Sequence, residues 1–179
     1  MSFYKTAPWE RSVTVTTVVV VALMVISTGA LLSLVARLAP AGWLSTALVI
    51  AVAVSLLGPL AALAVLRPTG YRLTERGILV TRPGPAVVIP AADITGVEEA
   101  TGDAFEGAMR LAASGGVFGY WGLWHSRRWG NFRAYATRRG GVVVVHRRHG
   151  DPVLLTPDRP AELVAEARRR YGAGAGSTE

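Results

Sequence analysis

Arginine and tryptophan are interleaved in one segment of the chain, and these residue types could do chemistry together. Trp124, Arg127, Arg128, Trp129 and Arg133 lie close to one another in the sequence. Indole rings favour the headgroup level of a bilayer, and guanidinium groups bind anionic phosphates or carboxylates. We therefore expect a surface that contacts anionic lipid headgroups or a protein partner. The alternative is that the aromatic side chains belong to the core of a β domain and the arginines form its solvated edge.

The charges around this segment are separated by sign. Residues 107–150 contain eight arginines and no acidic residue, whereas residues 93–106 contain five acidic residues and no basic one. The chain of 179 residues has 19 Lys and Arg against 12 Asp and Glu, which gives a formal net charge of +7. Such a surface attracts anionic membranes or acidic partners. We expect no nucleic-acid binding, because no recognition motif accompanies the charge.

The residue pattern predicts no catalytic, metal or cofactor site. The chain has no cysteine, which excludes thiolate zinc sites, iron–sulfur clusters and a cysteine nucleophile. Of the three histidines, His125 stands alone, and His146 and His149 flank two arginines that would repel a cation. The glycines of segment 115–122 lack the lysine of a phosphate-binding loop. We therefore predict a protein that is not an enzyme.

Two long apolar segments precede the basic region and must position it. Residues 12–36 and residues 38–66 contain no charged side chain, and each segment exceeds the ~20 residues that a helix needs to cross a bilayer. We predict transmembrane helices at 12–37 and 43–66, joined by a short outer turn at 38–42. A cleaved signal peptide is the other interpretation of the first segment, but its apolar core would be shorter.

Basic residues beside these segments predict the orientation of the hairpin. Two lie within residues 1–11 and four follow the second segment closely, whereas Arg37 alone is near the turn. Because cytoplasmic flanks carry the excess of Lys and Arg, we expect a multi-pass protein of the cell membrane with both termini cytoplasmic. Trp9 and Trp43 then fall at opposite membrane interfaces, where tryptophan anchors helices.

Small residues recur at four-residue intervals in both predicted helices. Gly29 and Ser33 form one stripe, and Ala47, Ala51 and Ser55 form another. Small side chains allow helix backbones to approach closely. We expect the two stripes to face each other within the hairpin. The same stripes could instead join two copies of the chain in a homo-oligomer.

From residue 67 the pattern changes to short alternating segments punctuated by glycine and proline, which is typical of antiparallel β structure. The apolar spacing of Leu163, Val164, Ala167 and Tyr171 predicts a final amphipathic helix, and residues 172–179 are expected to be a flexible tail. The strand candidates are residues 71–74, 78–80, 86–90, 133–137, 142–146 and 153–155.

About seven strands followed by one helix in residues 67–171 resemble a pleckstrin-homology-like (PH-like) barrel, whose last helix closes one open end. Four segments resemble those of bacterial PH-like families: IPAADI at 89–94, GYWGLW at 119–124, YAT at 135–137 with the valines of 142–145, and TPDRPAEL at 156–163. The resemblance implies an α+β membrane protein, in which a transmembrane α-hairpin precedes a β-barrel of about seven antiparallel strands with a C-terminal capping helix. It implies neither a reaction nor particular binding residues.

Two functions from different classes follow from this layout. The first is a binding or scaffold protein whose PH-like domain, held at the inner face of the cytoplasmic membrane, binds a protein segment or anionic lipid. The second is an accessory or regulatory subunit of a larger membrane complex, in which the transmembrane hairpin makes the contacts. Either function requires the lipid bilayer as a partner, and neither requires a cofactor.

Overall fold

The computed structural model describes residues 2–38 and 42–172. Helices α1 (Arg11–Leu38) and α2 (Trp43–Leu66) form a hairpin. With 28 and 24 residues they are about 42 and 36 Å long, which exceeds the ~30 Å of a hydrocarbon core. Both are long and apolar enough to cross a membrane. The expected tail lies outside the described residues except for Gly172.

The small-residue stripes do not face each other, so that expectation is wrong. All five stripe residues are exposed, and the space beside Gly29 is open. The less exposed faces of the helices carry larger side chains, including Met24 and Thr28 in α1 and Leu56 in α2. Larger apolar side chains remove more surface from solvent when two helices meet, which explains the preference. A homo-oligomer through the stripes stays a prediction.

A first sheet of four strands lies next to the hairpin in sequence. The strands are β1 (Ser2–Lys5), β2 (Gly70–Thr74), β3 (Gly77–Thr81) and β4 (Val87–Pro90). Their order in the sheet is β1-β2-β3-β4, and all neighbours are antiparallel. β1 precedes the hairpin and the other three strands follow it.

A second sheet of six strands follows a short 3-10 turn at Ala91–Asp93. The strands are β5 (Ile94–Glu99), β6 (Met109–Gly115), β7 (Tyr120–Ser126), β8 (Gly130–Ala136), β9 (Val143–Arg147) and β10 (Val153–Leu155). Their order in the sheet is β5-β9-β10-β8-β7-β6, and only the β8–β10 neighbours within it are parallel. Helix α3 (Pro160–Tyr171) follows the last strand.

Two apolar clusters cover the two faces of the second sheet. One cluster lies between the sheets and includes Leu163 and Ala167 of α3. The other cluster lies on the opposite face, where the segment between β5 and β6 contributes Ala104 and Phe105. Because side chains alternate between the two faces of a strand, neighbouring residues of the second sheet pack into different clusters.

The predicted fold class is confirmed: two apolar helices precede a β-rich domain with a C-terminal helix. Two details differ from the expectation. The sheets do not close into a barrel, and nine strands rather than about seven follow the hairpin. β5, β6 and β7 lie outside the six candidate ranges, because none of them shows a clear apolar alternation in the sequence.

The segment before the hairpin is part of the domain. β1 pairs with β2 from Ser2↔Leu73 to Lys5↔Gly70, and the Ala7 amide donates to the Thr156 carbonyl at 2.8 Å. Residues on either side of the hairpin therefore share one sheet.

Candidate functional site

The first turns of α1 are docked on the turn between β6 and β7. The Thr17 hydroxyl donates to the carbonyl of Gly116 at 3.2 Å and accepts from the Phe118 amide at 2.9 Å. Thr17 is buried, and an added Cβ on Gly116 would lie 3.2 Å from Thr16. These contacts fix where the hairpin leaves the domain.

Aromatic and cationic side chains complete this contact. The Arg67 guanidinium carbon lies 5.9 Å from the Trp9 ring and 5.8 Å from the Phe118 ring, and the two rings are 6.0 Å apart. Trp9 is half-buried here, whereas Trp43 at the start of α2 is 81% exposed. Their anchoring of the hairpin in a membrane stays a prediction.

Two further turns of the domain reach the same end of the hairpin. The Gly84 amide donates to the Val65 carbonyl at 2.9 Å, and the Arg139 amide donates to the Glu10 carboxylate at 3.3 Å. We call this region the junction: residues 9–17 and 65–67 together with the turns at 82–86, 116–119 and 138–142. It fixes the hairpin and the domain in one arrangement.

Trp124, which we expected to face lipid or a partner, is a core residue. It is only 4% exposed and packs with its ring centroid 5.4 Å from that of Phe105 and 6.5 Å from that of Phe132. Phe105 belongs to the segment between β5 and β6, which covers this face of the sheet. The expectation for Trp124 is therefore corrected, and the alternative of a core aromatic holds for it.

Arg127, Arg128 and Trp129 form the turn between β7 and β8. Trp129 is half-buried and donates its Nε1–H to the Ala104 carbonyl at 3.2 Å. Arg128 lies 4.5 Å above the Trp129 ring and donates to the Thr101 carbonyl at 3.0 Å, so it is held in place. Arg127 is exposed beside a cavity of about 660 Å³.

Arg133 is not part of this turn, although the sequence places it nearby. It lies on β8 and lines a cleft of about 270 Å³ between β4 and the strands β8, β9 and β10. Arg147, at the end of β9, lines the same cleft, as does Asp151. We call this the inter-sheet cleft. The strand pairing brings Arg133 and Arg147 together because β10 is inserted between their strands.

The two arginines of the inter-sheet cleft are poorly neutralised. The Arg147 Nε is buried and has no hydrogen-bond partner, and a terminal nitrogen of this guanidinium is 4.0 Å from the Asp93 carboxylate. Within residues 2–38 and 42–172, the Arg133 guanidinium has no hydrogen bond or ion pair. Both groups can therefore accept an anionic ligand without giving up a strong internal partner.

A buried tyrosine joins the two sheets beneath these surfaces. The Tyr71 hydroxyl donates to the Tyr135 carbonyl at 2.5 Å and accepts from the Thr156 amide at 3.1 Å. Burial raises the pKa of Tyr71 to about 12, while the hydrogen bonds from Thr156 oppose the shift. This side chain is a structural bridge between the sheets.

The described residues contain no group of three His, Cys, Asp or Glu side chains placed to hold a metal ion. His146 instead pairs with Glu98 at 2.9 Å and His149 with Asp93 at 3.2 Å. His125 contacts the amide oxygen of Asn131 at 2.8 Å. The chemistry that this arrangement supports is binding by guanidinium groups and by free strand edges.

Comparison with known proteins identifies the domain. The family described as Bacterial PH domain matches residues 69–171, which is more than half of the chain. No curated protein and no solved structure matches significantly. The matched residues begin just before β2 and end with α3, so they contain both sheets except for β1. The chain therefore belongs to the bacterial PH domain family, and two helices that could span a membrane precede its domain.

Proposed function

We propose that this protein is a membrane-anchored binding module without catalytic activity. The hairpin crosses the cytoplasmic membrane, and the PH domain at its inner face binds a segment of another protein. Membership of the bacterial PH domain family supports a binding or scaffold role for the domain.

The exposure of the helices supports the membrane location. In the most apolar stretch of α2, no residue is buried within the chain. In the most apolar stretch of α1, only 11% of the residues are buried. An apolar helix surface of this size needs an apolar environment outside the chain. A bilayer provides that environment over the full length of both helices.

The pairing of β1 with β2 supports a location of both flanks on the same side of the membrane. A strand before the hairpin and a strand after it can share a sheet only if the chain crosses the bilayer an even number of times. The junction adds Arg67 and the exposed Arg11 to this side, whereas Arg37 lies near the opposite turn. By the distribution of basic residues, the shared side is the cytoplasm.

The distance of the arginines from the junction with the hairpin favours a protein partner over lipid. β7 begins beside the junction turn 116–119 and ends at the turn that contains Arg127. Its seven residues place this turn about 20 Å from the junction, since a strand rises ~3.3 Å per residue. Membrane surface potentials fall within about 8 Å at physiological salt. A protein is therefore the better ligand for arginines at this distance.

The second candidate is an accessory subunit that makes its contacts through the hairpin. The observation that favours it is the exposed small-residue stripe, with open space beside Gly29. Such a stripe can accept a helix of another membrane protein.

Site-specific photo-crosslinking in the native bacterium separates the two candidates. A photo-reactive amino acid is placed at the exposed Arg127 or Val88 in the domain, and at Ser33 or Ala51 on the stripes. We expect protein adducts from the domain positions. Adducts from the stripe positions alone would show that the hairpin is the working surface and would refute the binding-module proposal.

A further inference from the structure

We propose that the inter-sheet cleft binds an extended acidic segment of a partner protein. The segment adds as a strand to the free edge of β4, and its carboxylates bind Arg133 and Arg147. This inference rests on the proposed function and names the site at which the partner binds.

β4 has a free edge that a further strand can join. This strand pairs with β3 on one side, and no strand of either sheet pairs with its other side in the described chain. Val87, Val88 and Ile89 of β4 all line the cleft, with Ile89 buried and Val88 53% exposed. A free strand edge offers backbone donors and acceptors that an extended peptide can use. The open gap between the sheets is where such a strand would lie.

The wall of the cleft opposite β4 is positively charged. Arg133 and Arg147 both face the cleft, and Asp151 is the one acidic residue among its described lining residues. A terminal nitrogen of Arg147 lies 4.0 Å from the Asp93 carboxylate, beyond hydrogen-bond distance, so a carboxylate in the cleft would gain this guanidinium without displacing a close partner. Guanidinium groups bind carboxylates through two parallel hydrogen bonds. The cleft therefore favours acidic over neutral or basic segments.

The geometry fits an alternating sequence. Arg133 and Arg147 lie on strands separated by one intervening strand and are staggered by two residues, which places their backbones about 12 Å apart. An extended segment presents side chains on one face every ~7 Å. Long and flexible arginine side chains can bridge the remaining difference. Two carboxylates on the same face of the segment can therefore be bound together.

A lipid phosphate would match the arginines but not the strand edge. Arg133 is four residues before Thr137, whose carbonyl accepts from the Glu10 amide at the junction, so it lies about 13 Å from that contact. A lipid headgroup has no backbone amides to pair with β4. We therefore assign the cleft to a peptide.

The test uses the full chain in nanodiscs of neutral lipid. The probe is a short fluorescent peptide of alternating glutamate and valine, compared with peptides in which glutamine or lysine replaces glutamate. We expect the acidic peptide to bind, and the variant Arg133→Gln/Arg147→Gln to weaken its binding by about tenfold or more, as for two charge-assisted contacts. The matched control Arg72→Gln/Arg76→Gln removes the same charge outside the cleft. It should change affinity by less than about twofold, because exposed charges at a distance are screened.

Disulfide trapping locates the bound segment independently. Because the chain has no cysteine, Val88→Cys introduces a single thiol on β4, and Leu111→Cys introduces one on β6, the free edge of the other sheet. A peptide that carries one cysteine should be trapped at position 88 and not at position 111. Thermal melts of every variant show whether it is folded.

Three results would overturn the inference: no binding of the acidic peptide to the folded chain, equal weakening in the two double variants, or trapping at position 111. Each would leave the proposed function standing, because the photo-crosslinking experiment tests that function with the native partner. Failure of the crosslinking experiment with retained peptide binding would instead refute the biological role and keep the cleft as a peptide site.

Discussion

Replacing Trp124 by alanine should be much more costly than replacing Trp129, although both belong to the same arginine-rich segment. A tryptophan side chain buries roughly 150–250 Å². At about 25 cal/mol per Å², full removal would cost about 4–6 kcal/mol as an upper bound. The Trp124 Nε1 is buried without a partner, and its removal relieves that penalty of about 1 kcal/mol. We therefore expect Trp124→Ala to lower the free energy of unfolding by about 3–5 kcal/mol.

Trp129→Ala is the comparison, because Trp129 is half-buried. It should lose the hydrogen bond to Ala104 and the contact with Arg128, which together are worth about 1–2 kcal/mol, and part of the apolar surface that it buries against the core. Because Trp129 lies in a turn at the surface, water fills the space that it leaves and no internal cavity adds to the cost. Trp124→Phe is a milder control that keeps an aromatic ring between Phe105 and Phe132.

The assay is thermal unfolding of the full chain in detergent, followed by near-UV circular dichroism. For a domain of this size, each kcal/mol shifts Tm by roughly 4–8 °C. The shift in Tm should therefore be larger for Trp124→Ala than for Trp129→Ala. Equal shifts, or a larger shift for Trp129→Ala, would refute the assignment of Trp124 to the core.

Three further predictions concern the contacts that hold the domain together. Tyr71→Phe should cost about 1–3 kcal/mol in urea unfolding, because it leaves buried backbone groups unpaired. The pKa of Tyr71 is raised from 10.0 to about 12, so the stabilisation that its neutral hydroxyl gives to the fold is fully present below pH 10 and is lost as the pH rises towards 12. If the free energy of unfolding of Tyr71→Phe fell over this pH range as steeply as that of the wild type, the prediction would be contradicted. Gly122→Ala should lower Tm more than Gly130→Ala, since both have positive φ but only the added Cβ at 122 would clash with the Ala112 carbonyl oxygen. Equal Tm values would be inconsistent with the clash. Thr17→Val should speed hydrogen exchange in the turn 116–119 without preventing membrane insertion, and unchanged exchange would show that this contact does not hold the junction.

Much of the fold could be predicted because the signals are local. Uncharged segments of this length predict spanning helices, and the apolar spacing that includes Leu163 and Ala167 predicts α3, which the structure contains. β1 could not be predicted in the same way. It is only four residues long, and it becomes a strand through pairing with β2, which is 65 residues further along the chain at its nearest register pair.

The candidate site was harder to predict because it depends on strand order. Trp124 and Trp129 have similar sequence surroundings, but Trp124 lies on β7 against Phe105, whereas Trp129 lies in the turn that follows β7. Arg133 was predicted to act with its sequence neighbours, but alternation and the insertion of β10 place it with Arg147 instead. Pairings between distant strands are set by the whole sheet rather than by local residue patterns.

The most direct test of the account is the sidedness of the hairpin. Because the chain has no cysteine, Gly42→Cys and Arg127→Cys each provide a single thiol, one beside the turn of the hairpin and one on the domain. A membrane-impermeant maleimide is applied to intact cells and, separately, to permeabilised cells. We predict labelling at position 42 in intact cells, and at position 127 only after permeabilisation. Labelling of position 127 in intact cells, or equal labelling of both positions, would contradict a hairpin that holds the domain in the cytoplasm.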